Sequence, residues 1–250
     1  MMISDKYKYL FMEVPHTACT SIAAELLEHY DARYFGPKHA TYHQFLRMAN
    51  EEQKKYFVFA GVRNPLDVAV TVYLRYRTNH GNTYEATPGG PPYRKVTHYQ
   101  LNAYRYARTH DFPDYFRRYH RLPFSDAVSR DAKRFANYII RYENLQEEFA
   151  NVLNHLGIEQ VRPLPRLNRT ATKERDFLSY YTPDIQHQAL HVFSPYMEEW
   201  GYSLPEQWQQ PKTAVINRLG YRALNAIRDF YWQHVRFSDS FYGRLARATK

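Results

Sequence analysis

With 250 residues, 44% of them hydrophobic and 24% charged, the chain is long enough to bury a sizeable core and is not composed like a disordered polymer. Its net charge of +9 predicts anionic partners, and its 24 tyrosines suit sugars, bases or partner proteins as well as a core. The single cysteine, Cys19, excludes an internal disulfide framework and a cysteine-built zinc site. No run approaches the roughly 20 apolar residues that cross a bilayer. Asp5, Lys6 and Lys8 interrupt the start where a signal peptide would be apolar, so a cytoplasmic location is expected.

Tyr7 to Val14 is an almost unbroken apolar and aromatic run, as in a strand covered on both faces. A turn follows through Pro15, His16, Thr17, Ala18, Cys19, Thr20 and Ser21. Ile22, Ala23, Leu26, Leu27 and Tyr30 then recur at helical spacing. Strand, hydroxyl-rich turn and helix together aim backbone N–H groups and a helix dipole at one spot, which favours a phosphate or sulfate. The G-x-x-x-x-G-K-[ST] pattern of a Walker loop is absent. Further on, Thr41 is placed to cap a short helix through Gln44, Phe45 and Met48. His39 and His43 stand four apart, as on one helical face. Either can serve as a general base or merely pack at the surface, and with no third ligand in view a metal is not expected.

Tyr56 to Val62 reads as a second buried strand. Arg63 stands at its carboxyl end, where open α/β sheets bind ligands, and Pro65 opens a helix that carries Thr71. From Arg77 to Tyr106 the periodicity lapses, which reads as an acceptor-recognition loop or an insertion. Asp111 to Tyr119 predicts a short helix. Tyr138 to Tyr142 predicts a third strand, followed by a helix that Gly157 stops. Leu164 to Thr170 is an extended polar loop, and Thr182 with Pro183 marks the start of another helix. The tail from Lys212 to Lys250 carries eight basic residues against two acids and an apolar stripe of Ile216, Leu219, Ala223, Ile227 and Phe230. Such a helix lies on an anionic membrane, contacts another subunit or packs back on its own domain, and the last is expected. With no repeats, the architecture expected is one α/β domain over 1–203 and a basic helical extension over 204–250.

Three of these segments carry a resemblance. Pro15 to Ser21 resembles the 5′-phosphosulfate loop of sulfotransferases, P-K-T-[GA]-[GSC]-T-S, with His16 in place of the usual lysine. Phe59 to Tyr76, FAGVRNPLDVAVTVYLRY, resembles their 3′-phosphate segment, with Arg63 and Thr71 on its two binding positions. Ala136 to Ile158 is similar to a later block of the same family. Asn168-Arg169-Thr170, ahead of Tyr180-Tyr181-Thr182-Pro183, is similar to a segment that lies near the nucleotide. The resemblance covers roughly residues 7 to 202, and is nearest to the members that act on carbohydrates. It implies a three-layer α/β/α, P-loop-like fold around a mainly parallel sheet. It implies the donor 3′-phosphoadenosine 5′-phosphosulfate (PAPS), the product 3′-phosphoadenosine 5′-phosphate (PAP), a hydroxylated acceptor such as a glycan, and no metal. Pro15, His16, Thr17, Ala18, Cys19, Thr20, Ser21, Arg63, Thr71, Asn168 and Arg169 would then hold the nucleotide. His16 would assist the leaving group, with His39 the first choice of base and His43 the second. Two other readings stand beside this one. The first is a non-catalytic nucleotide or anion binder of the same family, for which His16 is the argument. The second is a basic nucleic-acid-binding protein, against which stands the lack of any binding motif.

Overall fold

The structure, a computed structural model, describes residues 1–85, 96–165, 167, 176–208 and 213–231. Its strands are β1 (Met2–Ser4), β2 (Tyr9–Met12), β3 (Arg33–Tyr34), β4 (Phe57–Val62) and β5 (Tyr138–Arg141), joined in one sheet of order β3-β1-β2-β4-β5. The helices of the amino-terminal half are α1 (Cys19–His29), α2 (Tyr42–Met48), α3 (Pro65–Arg77), α4 (His98–Thr109) and α5 (Phe112–Tyr119). They are followed by α6 (Ala127–Phe135), α7 (Leu145–His155), α8 (Pro183–Glu199) and α9 (Val215–Phe230). The chain divides into two compact units, one formed by Met1–Arg63 with Ser125–Arg169, the other by Asn64–Phe124 with Thr170–Lys250.

The first unit is mixed α/β and holds the whole sheet with α1, α2, α6 and α7. All four residues of β2 are buried, which explains why the sequence shows a continuous apolar run there instead of alternation. Phe11 stacks on Phe59 of the neighbouring strand at 5.1 Å, and Ile22, Leu26, Phe149, Val152 and Leu153 belong to the same core. β2 pairs with β4 and β4 with β5 in parallel, whereas β1 runs antiparallel to both β2 and β3. The sheet is therefore mixed, where a mainly parallel one was expected. The difference arises because the run expected as one strand over Tyr7–Val14 is shorter, and forms the second arm of a tight hairpin with β1. Three residues, Met2-Ile3-Ser4, are too few to declare a strand by pattern. In parallel register Met12 faces Ala60, so the turns leaving β2 and β4 emerge side by side.

Among its described residues the second unit is helical. Asn64 caps α3 by accepting from the Leu66 N–H at 3.0 Å, with Pro65 in the first turn. α4 begins inside the Arg77–Tyr106 stretch and runs past its end; only Ala103, Tyr104 and Ala107 are buried on it, and three small or polar-tipped residues make no stripe. Asp111 caps α5 through the Asp114 N–H. α8 begins at Pro183 as expected, but the Thr182 side chain makes no cap bond and its hydroxyl is buried without a hydrogen-bond partner.

The helix of the basic tail lies against α8 of its own unit, with its polar side inward. α9 is held to α8 by its polar side: Arg218 pairs with Glu198 at 2.7 Å, Asn217 meets His191 at 2.8 Å, and Tyr221 bonds Glu199. Its apolar stripe faces solvent, with Ile216 77% exposed and Leu219, Ile227 and Phe230 likewise exposed. The acidic end of α8 draws the arginine-bearing side inward.

His120 of the second unit gives a test of this packing. Its ring stacks on Phe116 at 4.8 Å beside Phe193, its Nε2 is sealed from solvent, and burial pushes its pKa down to about 4. The unfolded chain binds this proton near pH 6.5, so the stabilisation from a neutral His120 is complete above that pH and is lost as pH falls toward about 4. Between pH 7 and 5 the loss should reach roughly 2 kcal/mol. Urea unfolding of His120→Leu should show that much less acid sensitivity than the wild type. Identical pH slopes would mean that the imidazole is solvated.

Candidate functional site

The turn between β2 and α1 has an unusual backbone. His16 and Ala18 adopt left-handed conformations, with φ of 65° and 61°. Neither is glycine, so each is strained by an amount on the order of 1–3 kcal/mol, and such residues cluster where a ligand is gripped. Alternating left-handed residues turn successive N–H groups toward one concavity, a nest suited to an anion. α1 begins immediately after it. Ala18 has no side-chain group to cap the helix and the first turn holds no acid, so neither offsets the positive dipole end of α1.

Thr17 fixes this turn from below. Its hydroxyl donates to the Val14 carbonyl at 2.9 Å, and its side chain is buried against Gly61 of β4. A Cβ at Gly61 would lie 2.6 Å from the Thr17 hydroxyl oxygen. Cys19 points into the core, where burial pushes its thiol up; it offers the site its N–H and no nucleophile. The Ser21 hydroxyl is buried and accepts the Leu167 N–H at 3.0 Å. Leu167 is thus tied to the turn, while Asn168 and Arg169 lie outside the described residues.

Arg63 follows β4 directly. Only 7% exposed, it lays its guanidinium 3.9 Å from the centre of the Tyr142 ring and donates to the His16 carbonyl at 3.1 Å. One arginine therefore braces the strained turn, a contact that no sequence pattern announced. Thr71 is buried on α3 in the second unit, and its part in binding rests on the motif alone.

The two histidines do not share a helix face. His39 sits in the turn ahead of α2 with φ of 59°, and only His43 lies on the helix. The capping box of Thr41 and Gln44 starts α2 after His39, which breaks the expected four-residue repeat. Each ring is nevertheless oriented by a defined acceptor. The His39 Nδ1 stands 2.6 Å from the Glu13 carbonyl oxygen, and the His43 Nδ1 stands 3.2 Å from Asp131. A carbonyl or carboxylate oxygen accepts, so in the neutral rings Nδ1 carries the hydrogen and Nε2 keeps the lone pair a base needs. Glu13, a further candidate base, is buried with its carboxylate 2.8 Å from the Met1 ammonium.

Three residues of this neighbourhood escaped the sequence reading. Asp131 accepts the Tyr42 N–H at 2.7 Å as well as holding His43, from 89 residues away in the chain. Asp126 caps α6 through the Ser129 N–H at 2.7 Å; burial pushes its carboxyl up, opposed by the Ser129 hydrogen bonds and by the charges of Arg130 and His39. Lys38 bonds the Thr20 hydroxyl at 3.3 Å. Only the last had a signal, since it adjoins a candidate base.

The contact of Thr17 with Gly61 yields a direct test. Gly61→Ala forces a methyl group onto a buried turn and should cost roughly 1–3 kcal/mol, the range for overpacking. Gly220→Ala, where an added Cβ meets nothing within 4 Å on α9, should instead stabilise by about 0.5–1 kcal/mol. Urea unfolding of both variants checks the contrast, and equal midpoints would mean that the turn stands clear of β4.

Comparison with curated proteins and with solved structures yields no match. The sequence does match the model of the sulfotransferase family over residues 1–203, a span that takes in the strained turn, Arg63, both histidines and α8. The chain belongs to the sulfotransferase family.

Proposed function

We propose that the protein transfers the sulfonate of PAPS to a hydroxyl of a carbohydrate acceptor, in a three-layer fold of the P-loop-like kind. The observation that carries this reading is the turn 15–21, whose left-handed His16 and Ala18 sit on the amino end of α1 with Arg63 bonded to the His16 carbonyl. Its N–H groups and the Thr20 hydroxyl receive the 5′-phosphosulfate. Arg63 is the planar cation for the 3′-phosphate.

In the reaction, the acceptor oxygen attacks sulfur as its O–H bond breaks, and His39 Nε2 takes the proton. The bond from sulfur to the bridging oxygen breaks, and its electron pair leaves on the 5′-phosphate of PAP. Charge spreads over the sulfonate and phosphate oxygens, as in phosphoryl transfer, so positioned N–H groups and cations do most of the work. His39 is favoured over His43 because its neighbour Lys38 reaches Thr20 in the turn.

Two measurements test the proposal. Arg63→Ala, confirmed folded, should bind PAP more weakly by roughly 1.5–3 kcal/mol in calorimetry, the range for charge-assisted bonds. Unchanged affinity would remove the nucleotide assignment. In a screen of sulfonate transfer from labelled PAPS to glycans, His39→Ala should lower turnover by roughly 10²–10⁴-fold with PAP affinity kept. The same loss in His43→Ala alone would move the base to the Asp131-held ring. A wild type that binds PAP and transfers to no acceptor favours the binder that His16 argues for.

A further inference from the structure

The phosphosulfate loop that residues 15–21 resemble has a lysine where this chain has His16. A lysine is charged throughout the physiological range, whereas an imidazole is charged over only part of it. The leaving phosphate needs a cation in every turnover.

Lys38 lies elsewhere in the sequence but at the same turn. Its Nζ stands 3.3 Å from the hydroxyl of Thr20, in the first turn of α1. The backbone that carries it is fixed: the Ala40 N–H closes a turn onto the Pro37 carbonyl at 3.3 Å, and His39 is bonded to the Glu13 carbonyl at 2.6 Å. Among the described residues, Lys38 bonds a neutral hydroxyl and forms no ion pair. Lys8 and Lys54, by contrast, are paired with Glu52 and Glu51. The Lys38 charge also reaches inward, where it opposes the burial that pushes the Cys19 thiol up. An ammonium on a flexible four-carbon stem, held at a nest of N–H groups and without a carboxylate, is arranged for an incoming anion.

We propose that Lys38 supplies the cation that position 16 lacks, gripping the 5′-phosphosulfate from the far side of the turn and holding charge on the leaving phosphate. This rests on the donor reading above. It makes Lys38 and His39 a functional pair on one short turn, the first toward the donor and the second toward the acceptor.

Binding can test this without a known acceptor. Calorimetry of the full chain with three probes separates the two ends of the nucleotide: PAP, adenosine 5′-monophosphate and adenosine 3′-monophosphate. Lys38→Ala should weaken PAP and the 5′-monophosphate about 10-fold at low salt, and leave the 3′-monophosphate within about 2-fold. Adding His16→Lys to Lys38→Ala should restore most of the loss, because a loop lysine then fills the same role. Wild-type affinity for PAP in Lys38→Ala overturns the assignment. So does an equal loss for all three probes, or a loss that His16→Lys leaves uncorrected, since either outcome makes Lys38 a support of the turn. A wild type that binds none of the probes removes the donor reading itself, and Lys38 with it. A PAP-binding wild type beside an unaffected Lys38→Ala removes Lys38 alone.

Discussion

The approach of Thr17 to Gly61 is the constraint on which the site depends. β2 and β4 are parallel neighbours, so the chain leaving β2 must turn across the end of β4 before α1 can begin. The absence of a side chain at Gly61 lets that crossing pass close, with an added Cβ only 2.6 Å from the Thr17 hydroxyl oxygen. Thr17 then bonds back to Val14, and the backbone on either side of it takes positive φ at His16 and Ala18. The strain is held by its surroundings: Arg63 engages the His16 carbonyl from one side and Leu167 engages Ser21 from the other.

Orientation of the imidazoles follows a similar logic. Neither His39 nor His43 hangs free; each presents Nδ1 to a fixed oxygen and so, when neutral, leaves the lone pair on Nε2. His43 depends on Asp131, which also caps α2, so its ring and the helix start are set by one carboxylate. His39 depends on a main-chain carbonyl at the end of β2, so it is set by the sheet. The second arrangement is the stiffer, because a strand-end carbonyl has no side-chain rotamer to lose.

The helical unit shows a different balance. Its core is built from aromatic contacts such as Phe112 with Tyr181 and Phe116 with Phe193, and much of the tyrosine content is spent there. Tyr181 is buried with its hydroxyl on the Leu66 carbonyl, which satisfies the one polar atom of a large ring. The docking of α9 by its arginines leaves an apolar face outward, the reverse of the usual amphipathic rule.

By itself the sequence determined the elements whose patterning is local and strong. The apolar runs of β4 and β5, the capping residue Thr41, and the prolines opening α3 and α8 announce themselves within a few residues. The strand-turn-helix around residues 15–21 was legible too, from an apolar run and a helical stripe on either side of hydroxyl-rich residues, and the family that its motifs resemble is the one matched over 1–203. Tertiary structure alone decided the rest. It made the first strand a hairpin arm and the sheet mixed, because three-residue strands form by pairing and not by pattern. It separated His39 from the helix of His43, turned α9 over, and brought Asp131, Asp126 and Lys38 to the site. Those placements depend on which charges and carbonyls meet across tens of residues, and spacing along a chain holds no record of such meetings.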